Sequence, residues 1–161
     1  MKRVSIFWLL LILALTACGP NQPSSEALAS QNGIEVFDAW VRAAAPKPEM
    51  APGAHAGGAV TGAFMLLKNS TDQPDVLISA SSDVAKDVQI HETTMQDGVM
   101  SMAEVAGVTV PAGASTELKP GGYHVMLIGL QRELKVGETI TLSLVFKNAG
   151  EITLQLPVRM P

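Results

Sequence analysis

The chain has 161 residues, 47% of them hydrophobic and 16% charged, with 11 Lys+Arg against 15 Asp+Glu and a net charge of −4. An acidic chain with no basic stripe argues against nucleic acid as a partner. One cysteine, three histidines and eight methionines argue against a disulfide scaffold or a zinc finger, and leave imidazole and thioether as the donors to consider.

The N-terminus opens with Lys2 and Arg3, followed by an apolar run from Val4 to Leu15 broken only by Ser5, and then Leu15-Thr16-Ala17-Cys18. A positive start, a short apolar stretch and small residues before a cut describe a secretory signal, and the run is too short to span a bilayer. Cysteine as the first residue after the cut resembles the bacterial lipobox, whose thiol is acylated. The alternative is a plain signal peptide in which Cys18 is incidental. Residues 1–17 are thus expected to be removed and Cys18 lipidated, placing the protein outside the cytoplasm on the periplasmic face of a bacterial membrane. Loss of Lys2 and Arg3 leaves nine Lys/Arg against fifteen Asp/Glu, a net charge of −6.

Asn21 to Gln31 is rich in Ser, Ala, Asn and Gln, and residues 18–33 read as a flexible tether. Residues 34–161 then form one domain, long enough for a real core. Period-2 apolar patterns predict strands over Ile34–Arg42, Val60–Asn69, Asp75–Ser82, Asp87–Thr93, Val99–Val105, Tyr123–Ile128, Thr139–Phe146 and Glu151–Val158. Short strands separated by Pro, Gly and Asp turns, with no long helical pattern, predict an all-β sandwich or barrel. Ala43–Gly58, dense in Ala, Pro and Gly, is expected to be a long loop, and loops of that length are usually functional or disordered.

The spacing of the soft donors is the informative part. His124 and Met126 are one residue apart, so on a strand they project from the same face. His91 and Met102 flank Asp97-Gly98, a strong signal for a two-residue type I′ hairpin turn. With Asp97 and Gly98 as the turn, Met95 faces Met100, Thr93 faces Met102, and His91 lies diagonal to Met102 on the same face, within reach of long side chains. Two imidazoles and two thioethers favour Cu(I) over Zn(II), Mg(II) or Ca(II), because thioether sulfur is soft and uncharged. A blue-copper centre is excluded for want of a thiolate, and zinc sites prefer Cys and His, or His with carboxylates.

In this order the residues read His91-x10-Met102-x21-His124-x-Met126, which resembles the motif of the PCu(A)C-type periplasmic copper chaperones. Asp38-Ala39-Trp40-Val41-Arg42, Gly62-Ala63-Phe64-Met65 and Leu118 to Leu127 are similar to stretches of that family, and the resemblance covers residues 34–158. It implies a cupredoxin-like Greek-key β-sandwich holding Cu(I), which it delivers to the metal centres of cytochrome c oxidase during assembly. The implied partners are an oxidase subunit or another copper chaperone. A storage or resistance protein using the same site, and a structural β-sandwich lipoprotein, are the competing readings. Nothing points to an enzyme: the sequence has no Ser elbow motif, no carboxylate within the donor set, and no thiol nucleophile once Cys18 is acylated. Met95 and Met100, on the face of His91 and Met102, read as a second sulfur shell, a transfer path or a hydrophobic shield. Met50 and His55, in the long loop, read as an auxiliary site or lid. Met65 reads as core.

Overall fold

The computed structural model describes residues 26–45 and 59–160. Cys18, Met50 and His55 lie outside the described residues, as does most of the predicted long loop. Among the described residues the chain is all strand: β1 (Ala29–Gln31), β2 (Ile34–Arg42), β3 (Val60–Asn69), β4 (Asp75–Ser81), β5 (Ala85–Gln96), β6 (Val99–Glu104), β7 (Val108–Val110), β8 (Ser115–Leu118), β9 (Tyr123–Leu130), β10 (Thr139–Phe146) and β11 (Gly150–Arg159).

The strands follow one hydrogen-bonded path, β6-β5-β9-β3-β2-β11-β10-β4-β7, with β1 added to β2 and β8 to β3. The link between β2 and β11 is a two-residue parallel contact, Val41 with Val158 and Arg42 with Arg159, whereas β10 and β11 pair along eight positions. The path therefore folds into two layers, β6-β5-β9-β3-β2 and β11-β10-β4-β7. The fold is the β-sandwich expected of a cupredoxin-like domain. Val36, Val41, Leu67 and Leu127 from the first layer meet Leu142, Leu144 and Leu156 from the second in one buried cluster. Each such side chain contributes about 1.5–3 kcal/mol on leaving water.

One expectation needs correction. Residues 29–31, read as part of the tether, form β1 and pair with Ile34–Val36. The cause is local: Asn32 and Gly33 take φ of 45° and 83°, the backbone of a two-residue hairpin turn with positive φ at both positions. The strands β7 and β8, three and four residues long, were also absent from the sequence pattern, being too short for alternation to register.

A bulge in β2 decides what faces the outer side of the first layer. Up to Phe37 the partners in β2 and β3 run Ile34 with Asn69 and Phe37 with Leu66, but beyond it Trp40 pairs with Phe64 and Val41 with Ala63. The extra residue sits around Asp38, whose φ is 48°. One inserted residue exchanges the two faces of a strand. Ile34 and Val36 point into the core before the bulge, Ala39 and Val41 after it. Trp40 and Arg42 are consequently turned outward.

Candidate metal centre

The outer face of the first layer collects the donors. His91 of β5 lies directly opposite His124 of β9, with ring centroids 5.9 Å apart. Met126, on the same face of β9, is flanked by Gln89 on β5 and Gly62 on β3. Asp97 and Gly98 take φ of 53° and 79°, and the β5–β6 hairpin pairs His91 with Glu104, Thr93 with Met102 and Met95 with Met100. Directly opposed residues share a face, so all four expected ligands and the two extra methionines stand on one surface. Met102, His124 and Met126 line a cleft of about 310 Å³, with His91 adjoining His124.

The hydrogen bonds set each imidazole in a defined tautomer. Lys119-Pro120-Gly121-Gly122 forms a turn closed by Gly122 N donating to the Lys119 carbonyl at 3.1 Å. Proline fixes the second position, and Gly121 supplies the positive φ, 82°, required at the third. The turn places the Gly122 carbonyl 3.0 Å from His124 Nδ1. A carbonyl only accepts, so Nδ1 carries the proton and the Nε2 lone pair of His124 is left free.

His91 is set the other way. Asp87 accepts from Gln89 Nε2 at 2.9 Å, which turns the amide oxygen toward His91 Nε2 at 2.8 Å. Nε2 must then donate, and the lone pair falls on Nδ1. That nitrogen is buried and has no hydrogen-bond partner. A buried polar atom left unmatched costs about 1–3 kcal/mol, and a metal ion is the kind of partner that would satisfy it. Burial first, and the neighbouring His124 second, hold the His91 pKa below the ordinary imidazole value, while Glu104 acts in the opposite sense. A neutral imidazole is the form that binds metal. Among the described residues no three His, Cys, Asp or Glu side chains cluster. Among those residues the donors on the same face that can complete a set around the two imidazoles are thioethers, and these fit a soft monovalent ion.

Sequence reasoning quoted Asp38–Arg42 and Gly62–Met65 as similar stretches without assigning them a place. The structure puts them beside the donors. Trp40 packs on Phe64 with ring centroids 4.8 Å apart, and Phe64 lies 6.3 Å from His124. The Arg42 guanidinium sits over Phe64, 5.5 Å from its centroid. A Cβ at Gly62 would come within 2.9 Å of the Phe64 ring, so glycine is what lets that ring lie over the position paired with Met126. The signal that would have found this arrangement is the bulge, and a bulge at Asp38 has no mark in the alternation pattern. Met65, as expected, is in the core.

Residues 34–158 match the family described as "Putative lipoprotein LpqE-like". The chain is 32% identical over 152 residues to "Putative lipoprotein Lxx21020" of Leifsonia xyli subsp. xyli, covering 92% of this chain and 84% of that protein. Among solved structures it resembles the copper-bound PCuAC domain from PmoF2, with 28% identity, a TM-score of 0.62, and coverage of 82% of this chain and 97% of that one. It also resembles Cu(I)-bound DR1885 from Deinococcus radiodurans, with 32% identity, a TM-score of 0.56, and coverage of 77% and 78%. The chain belongs to the LpqE-like lipoprotein family, and its β-sandwich is that of the PCuAC domains.

Proposed function

We propose that this protein is an extracytoplasmic copper carrier, which holds one Cu(I) through His91 Nδ1, His124 Nε2 and the thioethers of Met102 and Met126. The observation that carries this reading is the pair of opposed imidazoles, each hydrogen-bonded through one nitrogen so that the other is left without a proton. The copper-bound state of the similar PmoF2 domain and of DR1885 supports the choice of metal. Two neutral imidazoles and two neutral thioethers accommodate Cu(I) without burying a negative charge. The protein binds and releases; its donors perform no chemistry on the ion.

Delivery is the reading favoured over storage. Met102 stands on β6, a sheet edge at which all six residues are exposed, so one donor of the four is open to an incoming ligand. The recipient we infer is the set of copper centres of cytochrome c oxidase during assembly, reached from a membrane to which lipidated Cys18 holds the protein. Competition titration of the purified protein against a Cu(I) chelator, with X-ray absorption on the product, tests the site. One equivalent of Cu(I) in a mixed nitrogen and sulfur shell is expected, with much weaker Cu(II) binding. A shell of nitrogen and oxygen alone would overturn it. A deletion strain grown at low copper tests the destination: loss of oxidase activity is expected, and loss of copper tolerance alone would favour storage.

A further inference from the structure

The β5–β6 hairpin continues past Met102 with two more thioethers that the four-residue site does not use. Met95 and Met100 are direct partners across the hairpin, on the face that carries His91 and Met102. Directly opposed residues have Cβ atoms about 4.5–5.5 Å apart, and methionine has three rotatable bonds with which to bring its sulfur to a shared point. Met95 is 68% exposed and Met100 65%, against 50% for Met102 and 9% for Met126. Side chains that exposed stand open to an ion from solution, which favours the transfer-path reading over the hydrophobic-shield one. What remains is a graded row of sulfur, open at the turn and closed at Met126.

On the copper-carrier reading above, we propose that Met95, Met100 and Met102 form a second, weaker Cu(I) site at the hairpin tip, through which the ion enters and leaves the four-residue site. The transfer is ligand exchange. Copper–sulfur bonds to Met95 and Met100 form while the bonds to the two imidazoles and Met126 break, and Met102 stays bound throughout. A thioether has no proton to lose and the ion remains Cu(I), so neither proton nor electron moves. The outer site lacks imidazole and is therefore the weaker of the two. The type I′ turn at Asp97-Gly98 holds the two strands in the register that keeps the three sulfurs on one side.

The test is anaerobic Cu(I) titration of the full mature chain labelled with 13C at its methionine methyl groups, followed by NMR. Met102 and Met126 are expected to shift with the first equivalent, while Met65 stays unmoved. Met95 and Met100 should shift only with excess Cu(I), held by those two sulfurs alone because the inner ion already occupies Met102. The Met95→Leu/Met100→Leu variant alters exposed positions only, so its first-equivalent affinity should stay within about twofold of the parent. Its rate of Cu(I) transfer to a chelator should fall about tenfold. Shifts confined to Met102 and Met126, with an unchanged transfer rate, would overturn the outer site and leave the four-residue site standing. No shift at any methionine would overturn both.

Discussion

Two regions of the sandwich bury polar side chains, and they are finished differently. At one, Asp75 is buried and its carboxylate accepts from the backbone N–H groups of Val76, Asn148 and Ala149 at 2.8–2.9 Å. Beside it Asn69 donates to the carbonyls of Gln73 and Val110 and accepts from the Thr71 N–H and hydroxyl. Every strong capacity of these two side chains is met from within the chain. At the other region, across the outer face of β5 and β9, His91 Nδ1 is buried with nothing to bond, and the buried Nε of Arg42 in the adjoining cleft is also unmatched. Internal satisfaction ties β3, β4 and the β10–β11 turn into one structure. Its absence beside His124 keeps a lone pair available for a partner from outside.

The two regions should respond to mutation in opposite currencies, binding at one and stability at the other. The largest effect expected is on binding: His124→Ala deletes an imidazole donor and should weaken Cu(I) affinity by more than about 100-fold, beyond the usual cost of altering a residue that merely supports a ligand. Chelator competition measures it, and an unchanged affinity would remove His124 from the ligand set. Next, Asp75→Ala strands three N–H groups and should cost about 3 kcal/mol of stability, read by urea denaturation. Copper affinity of the folded fraction should not change, and a loss of affinity would show that the two regions are coupled.

Smaller effects sharpen the contrast within the metal face. Met126→Leu keeps shape and apolar character, so stability should change by less than about 1.5 kcal/mol, while Cu(I) binding weakens about tenfold or more for want of a soft donor. Met65→Leu is the control and should leave affinity unaltered. Gln89→Leu removes the acceptor that fixes the His91 tautomer and should cost roughly 10–100-fold in affinity. A full loss of metal with intact folding, or no loss at all, would contradict a supporting role for Gln89.

The smallest effect concerns pH. Because burial and His124 keep the folded pKa of His91 below its ordinary value of 6.5, the unfolded chain takes up the proton first as the solution is acidified. The contribution of neutral His91 to stability is complete above 6.5 and is lost as pH falls through the lower folded value. The melting temperature of the copper-free protein should therefore decline on acidification below about 6.5, and a His91→Gln variant should decline less. An equal decline in both would assign the effect to other groups.

Much of this was legible in residue patterns. β2, β3 and β10 have the bounds that alternation predicts, and the pairing of Thr93 with Met102 follows from Asp97-Gly98 alone, because a two-residue turn leaves no freedom of register. What was not legible arises across strands. That β5 and β9 are neighbours, so that His91 meets His124, depends on the order of strands in the sheet. Asn32-Gly33 carries the same turn signal as Asp97-Gly98, but the polar stretch before it offered no apolar alternation and β1 passed for tether. Trp40 and Arg42 reach the metal face only through the one-residue slip at Asp38, which period-2 reading treats as an error in phase.

The gradient of exposure from Met95 to Met126 has a chemical cost as well as a use. Oxidation of methionine to the sulfoxide turns a soft thioether into a polar group, and it strikes accessible sulfur first. Met126, only 9% exposed, would outlast Met102, so oxidative damage should disable the proposed site from its open edge inward. Met95 and Met100, 68% and 65% exposed against 50% for Met102, would be oxidised before it. The working life of the carrier between rounds of sulfoxide repair would then be set at the hairpin tip, by residues that hold the ion least tightly.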